Sequence, residues 1–243
     1  MKKIYISIMV ILALASWTQL DQNVYAFGKD AKEYFNLGLE SSLAYKKIDY
    51  FTKALELDPR LADAYEKRGI HFYFQGKYDR VIEDYTEYIR LVPDKADAFR
   101  MLGMGYLKTG NYQKAIVSFD KAIHLAPKMS SAYTYRAEAF RLNGQIGEAI
   151  QNANMAITTG SDMRILADAY RTRAKAYREL GEEASASTDF KKAAEVDPRY
   201  FFYRYVSGYA DLEDMRQAGL LGMIGLAFVF IFGFKFKAPQ KEE

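Results

Sequence analysis

One interval governs this chain. Pro59, Pro93 and Pro127 stand 34 residues apart, and Gly76, Gly110 and Gly144 keep the same interval. Pro198 follows Pro127 by 71 residues and Gly181 follows Gly144 by 37, so both series slip by three, which locates one insertion near 161–166. A chain that repeats at this interval builds one unit over and over and buries apolar faces by stacking neighbours. Within second helices the apolar residues fall at i, i+4, i+7 and i+8: Val81, Tyr85, Tyr88 and Ile89, then Ala115, Phe119, Ala122 and Ile123. That spacing is one helical face. Each glycine sits where a first helix must stop and reverse, a place that favours a left-handed backbone angle. Each proline disfavours helical geometry in the residue before it, so the second helix ends there.

With proline counted as position 32, four further positions recur. Position 4 is Tyr65, Phe99, Tyr133 and Tyr170, with Tyr34 opening a shorter first unit; position 8 is Gly38, Gly69, Gly103, Ala137 and Ala174. Position 11 is Phe72, Tyr106, Phe140 and Tyr177; position 24 is Phe51, Tyr85, Phe119, Ala153 and Phe190. In period and residues this resembles the tetratricopeptide repeat family. The resemblance implies an all-α, right-handed superhelical solenoid of helix-turn-helix units at 31–61, 62–95, 96–129, 130–163 and 167–200, within an array over 27–199. Gly69 and Gly103 are expected to let paired helices approach closely, with aromatic rings filling the space. Asp63, Asp97 and Asp168 are expected in the first turns of their helices, where negative charge is favoured. The first unit is three residues short between Gly38 and Phe51 and has Lys47 at a small apolar position, so it reads as an atypical cap. Around Thr159-Gly160-Ser161 the proline phrase is missing and a longer loop is expected. Residues 200–217, rich in Phe and Tyr, read as a capping helix or as an aromatic belt at a membrane surface.

The two ends differ from the middle. After Lys2 and Lys3 comes the apolar run Ile4–Trp17, about 21 Å long as a helix, and a small-residue stop at Ala26; residues 1–26 read as a signal peptide or an N-terminal anchor. Ala218–Phe234 carries no charge over 17 residues and is followed by Lys235 and Lys237, the pattern of a transmembrane helix (218–234) with a short cytoplasmic tail (235–243). Lysines at both ends would stay in the cytoplasm, which exports everything between them. The expected place is a bacterial inner membrane with the array facing the periplasm or the outside.

The formal net charge is +3, of which the two ends supply +2 (Lys2, Lys3, Lys235, Lys237 and Lys241 against Asp21, Glu242 and Glu243). A nearly neutral body without a basic stripe argues against nucleic acid as a partner. The chain has no cysteine, which removes disulfides, thiol nucleophiles and thiolate metal sites. His71 and His124 lie 53 residues apart and read as one packed and one exposed histidine rather than a metal pair. Leu102-Gly103-Met104-Gly105 falls inside a helix with no preceding strand, unlike a phosphate loop. No catalytic group, metal or cofactor is expected, so the chain reads as a non-enzyme.

The resemblance implies a concave groove lined by positions 2, 5, 9, 12 and 13 of each first helix. Those positions hold Glu66, Ile70, Tyr73 and Phe74; Arg100, Met104, Leu107 and Lys108; Thr134, Glu138 and Arg141; and Arg171, Lys175 and Arg178. An apolar stretch gives way to a basic one. The carboxylate clamp of some family members needs asparagine beside lysine, and here Met104 follows Arg100. The expected partner is a protein or peptide, an amphipathic segment whose apolar residues meet Tyr73, Phe74 and Leu107 and whose acidic residues meet Arg141, Lys175 and Arg178. The function expected is a membrane-tethered scaffold or adaptor in an envelope complex. The alternatives are a cytosol-facing, tail-anchored receptor and an accessory domain of an enzyme.

Overall fold

The computed structural model describes residues 29–160 and 162–197. The signal segment, Pro198, the 200–217 helix, the 218–234 span and the tail lie outside the described residues. Among the described residues there are ten α-helices and no strands, and no helix is long and apolar enough to cross a membrane. They run α1 Ala31–Glu40, α2 Ala44–Leu57, α3 Ala62–Phe74, α4 Tyr78–Leu91, α5 Ala96–Lys108, α6 Tyr112–Leu125, α7 Ser130–Leu142, α8 Ile146–Thr159, α9 Met163–Glu179 and α10 Glu183–Val196. Consecutive helices pack pairwise, and each pair stacks on the next to form a solenoid.

The periodic glycines end the first helices as expected. Gly76, Gly110, Gly144 and Gly181 have φ of 70°, 79°, 81° and 78°, a region other residues enter at a cost. The turn closes when the residue after glycine donates to a carbonyl in the last helical turn, as Lys77 does to Phe72 at 3.0 Å and Asn111 to Tyr106 at 2.8 Å. At the other end Asp58, Val92 and Ala126 precede proline with φ near −136° and ψ of 82–92°, so each second helix stops in extended backbone. In the short first unit Ser41 ends α1 without a left-handed turn, and Asp30 opens that helix with a capping box to Glu33.

Positions 8 and 24 meet inside each pair. A Cβ added to Gly103 would lie 2.7 Å from Phe119, one on Gly69 2.8 Å from Tyr85, and one on Gly38 2.4 Å from Phe51. Those three rings are buried. In the fifth unit, where position 8 is Ala174, Phe190 is only partly buried and lies under the Arg178 guanidinium at 4.9 Å. In the fourth unit both positions are alanine, Ala137 and Ala153, and both are fully buried.

The insertion departs from the expected loop. It becomes helix: α9 is 17 residues long where other full first helices have 13, and only 160–162 connect it to α8. Asp162 caps the added turn by accepting from the Ile165 amide at 3.0 Å, and the missing proline leaves nothing to forbid the extension. Asp168 consequently lies well inside α9 rather than in its first turn, and its carboxylate pairs with Arg171 at 2.8 Å.

An unexpected device ties unit to unit. Arg68 reaches forward to buried Asp84 at 2.7 and 3.1 Å and back to Thr52 of the first unit at 3.1 Å. Arg136 repeats this with Asn152 at 2.7 Å and Asp120 at 2.5 Å, and Arg173 with Asp189 at 2.6 and 2.7 Å and Asn154 at 2.5 Å. Each guanidinium also lies near the rings of positions 4 and 11, Arg68 at 5.7 Å from both Tyr65 and Phe72. One side chain thus binds its own second helix and the second helix before it.

Candidate partner-binding groove

First helices touch one another across units, α5 with α7 and α7 with α9, which places them in the inner row of the solenoid. Side-chain contacts follow the same row. Glu138 of α7 lies 3.6 Å from Lys175 of α9, and Arg141 of α7 donates to Glu179 of α9.

The first half of this row is aromatic. Tyr73 packs edge-on to Phe74 at 6.1 Å and to Tyr78 at 5.7 Å, while Phe74 itself is 80% exposed. Burial, with Tyr135 and Tyr78 nearby, pushes the Tyr73 hydroxyl up to about 12, so it stays a donor. Ile70 and Leu107 are half-buried, Glu66 pairs with Lys67 at 2.8 Å, and Lys108 is exposed. Arg100 bonds Asp97 at 2.9 and 3.0 Å and touches the Met104 sulfur at 3.2 Å. Met104 is buried in the cluster of Ala115, Ile116, Phe119 and Ala139, so it forms the floor rather than a contact surface. Thr134 is likewise buried, its hydroxyl spent on the Ser130 carbonyl at 3.0 Å.

The second half is not the bare basic wall that its arginines suggest. Arg141 forms a two-pronged pair with Glu138 at 2.8 and 2.9 Å and also holds Glu179. Burial opposes the charge on Glu138, but hydrogen bonding from Arg141 and the charges of Lys175, Arg141 and Arg171 outweigh it and hold the carboxyl below its usual range. Arg141 is raised, first by its bond to Glu138, and burial lowers Lys175 despite that carboxylate. Arg171 pairs with Asp168. Arg178 leans on α10, over Phe190 and 3.7 Å from Glu183. The charges are therefore balanced in place, because Glu138, Asp168 and Glu179 stand among the cations.

Tyr135, at position 6, escaped the sequence reading. It is partly buried, stacks on Phe119 at 6.1 Å, and its hydroxyl is pushed up by burial and by Asp168 while Arg100, Arg164 and Arg171 pull it down. Arg164 belongs to the added turn of α9 and is exposed. The i, i+3 pairing of Glu138 with Arg141 was readable in the sequence as a helical neighbour pair; the reach to Glu179, 38 residues away, was not.

The histidines stand where expected. His71 stacks on Phe51 at 6.2 Å, with its pKa lowered by burial and then by Lys47, and His124 is exposed. Among the described residues no His, Asp and Glu group is arranged to hold a metal ion.

The family description Tetratricopeptide repeat matches residues 96–129 and again residues 167–200. No curated protein matches the sequence. Among solved structures the chain is similar to MamA, with 23% identity over 71% of this chain and 94% of that one at a TM-score of 0.61. It is similar to MamA 41-end from Desulfovibrio magneticus RS-1, with 18% identity over 72% and 98% of the two chains at a TM-score of 0.62. YrrB, described as a TPR protein with an unusual peptide-binding site, is 21% identical over 77% of this chain and 97% of its own, with a TM-score of 0.60. These likenesses speak for the fold. Two matched repeats, and the same helix pair, turn glycine and inter-helix contacts carried through the units around them, make this chain a tetratricopeptide-repeat protein.

Proposed function

We propose that the protein is a scaffold that captures an amphipathic protein segment along the inner row of first helices and is itself held at a membrane. The observation that carries the binding reading is Phe74, a large ring left 80% exposed beside Tyr73, with exposed Lys108 one unit on. An exposed aromatic next to a semi-buried one is the usual anchor of a partner's apolar residue. The acidic residues of the segment are assigned to Lys108 and Arg164 rather than to Arg141 and Lys175, whose charges are met within the chain. Likeness to a protein described as having a peptide-binding site supports the same class of ligand.

The test begins with a photo-crosslinking residue at position 74 in cells, with position 117 on exposed Val117 of α6 as control. A partner captured only from position 74 is then measured against Phe74→Ala and Lys108→Glu. Loss of a central aromatic contact is expected to cost about 2 kcal/mol, roughly thirtyfold in affinity. Wild-type affinity in both folded variants would move the binding surface elsewhere.

The membrane part of the proposal rests on sequence: the charge-free stretch 218–234 with lysines behind it, and the short apolar run after Lys2 and Lys3. Alkaline phosphatase joined after Asp197 is expected to be active, which reports export of the array. A cytoplasmic reporter working at the same joint would instead establish the cytosol-facing, tail-anchored arrangement.

A further inference from the structure

The arginine ties described above join three of the four unit boundaries. Arg68 spans the first and second units, Arg136 the third and fourth, Arg173 the fourth and fifth. At the boundary between the second and third units the equivalent residue is Leu102. Thr86 and Ser118, at the places of Thr52 and Asp84, keep only bonds within their own helices, Thr86 to Ile82 at 2.6 Å and Ser118 to Lys114 at 2.9 Å, whereas Thr52, which donates to Ile48 in the same way, also accepts from Arg68. This boundary differs in a second way. Three residues beyond Leu102 the chain has Gly105, where the other full units have His71, Ala139 and Ala176. A Cβ there would meet the Ile82 side chain at 2.9 Å, so α5 offers α4 a smooth spot without a side chain of its own.

We infer that the array contains one sliding joint, between its second and third units, with two stiffer segments on either side. A bidentate guanidinium held by two helices fixes both distance and angle, whereas the contact of Leu102, Val81 and Tyr88 is apolar and has no preferred direction. Replacing an ionic tie by apolar packing need not weaken a boundary, but it removes the part of the contact that specifies one geometry. Packed helices without such a lock shift by small shear movements of about 1–2 Å. The joint lies within the inner row, so a slip there alters the separation between Tyr73 and Phe74 on α3 and Leu107 and Lys108 on α5. The width of the groove at its aromatic end is then adjustable, while its charged end, locked by Arg136, Arg141 and Arg173, is not.

The chain has no cysteine, so paired spin labels can be placed at will. Glu83→Cys with Val117→Cys reports on the joint, and Val117→Cys with Gln151→Cys reports on the tied boundary one unit further, all at exposed sites of equivalent position. In the full chain the distance distribution across the joint is expected to be broader than the control by about 1–2 Å. Because Thr86 already occupies the place of Thr52, Leu102→Arg with Ser118→Asp completes the missing tie and is expected to narrow the distribution to that of the control. Equal widths across the two boundaries would overturn the inference, and that comparison stands even if the double variant fails to fold. A broad distribution that the folded double variant leaves unchanged would overturn it too, since the absent tie would not be the cause.

Discussion

Replacing Arg68 with leucine is expected to lower stability by about 3–5 kcal/mol, because it strands a carboxylate inside the protein. Asp84 is 2% exposed, and burial raises its pKa while the Arg68 guanidinium, by hydrogen bond and charge, pulls it back down. Without Arg68 the upward push of burial is opposed only by the charge of Arg80, the last of its causes. A carboxyl whose folded pKa lies above its unfolded one binds protons more readily in the folded state, so stability must rise as pH falls through that folded pKa. The Arg68→Leu variant is therefore expected to be weakest near neutrality and to recover part of its loss toward pH 5. The third unit shows the remedy, since it lives with Leu102 and Ser118 in the two equivalent places. Arg68→Leu with Asp84→Ser should regain most of the loss. Urea denaturation of the 29–197 array at pH 7 and pH 5 checks all three expectations, and equal stability of the single and double variants would mean that Asp84 is not the source of the cost.

The second large effect belongs to the contact between positions 8 and 24. Phe119 is fully buried against Gly103, and a Cβ on Gly103 would stand 2.7–2.9 Å from three atoms of its ring. Gly103→Ala is expected to cost about 1–3 kcal/mol by overpacking, and to push Phe119 outward. Phe119→Ala alone should cost about 3–5 kcal/mol for the lost ring and the cavity it leaves. The two together rebuild the Ala137 and Ala153 pair of the fourth unit, so their costs should fall short of the sum. A strictly additive double mutant, by thermal or urea denaturation, would show that the methyl and the ring do not compete for one space.

The 34-residue interval of proline and glycine was enough to locate the turns of the full units, because left-handed turns and residues before proline are local constraints; the end of α1 at Ser41 and the insertion lie outside that rule. At the insertion the missing proline phrase pointed to a longer loop, and the structure has helix there. Asp162 capping Ile165 decided for helix, which moved Asp168 from the first turn into the body of α9 and brought Arg164 toward Tyr135.

The groove divides along the same line. That Tyr73, Phe74, Arg100, Arg141 and Lys175 belong to first helices followed from their register in the repeat, and their assignment to the groove was what the repeat resemblance implied. What each can offer a partner was settled by neighbours in other units. Met104 and Thr134 sank into the floor, Arg178 turned to α10, and Arg141 found Glu179, a residue 38 positions away, beside its own helical neighbour Glu138. The arginine ties make the contrast plainest. Arg68, Arg136 and Arg173 recur at one position of the repeat, yet their partners 16 to 19 residues on either side become partners only when two second helices are brought to the same guanidinium. By itself the sequence determined the unit and its turns, because those depend on backbone angles and period. Which charges remain free, which side chains are covered and which boundary lacks a tie were decided by stacking, because each depends on atoms that only the neighbouring unit supplies.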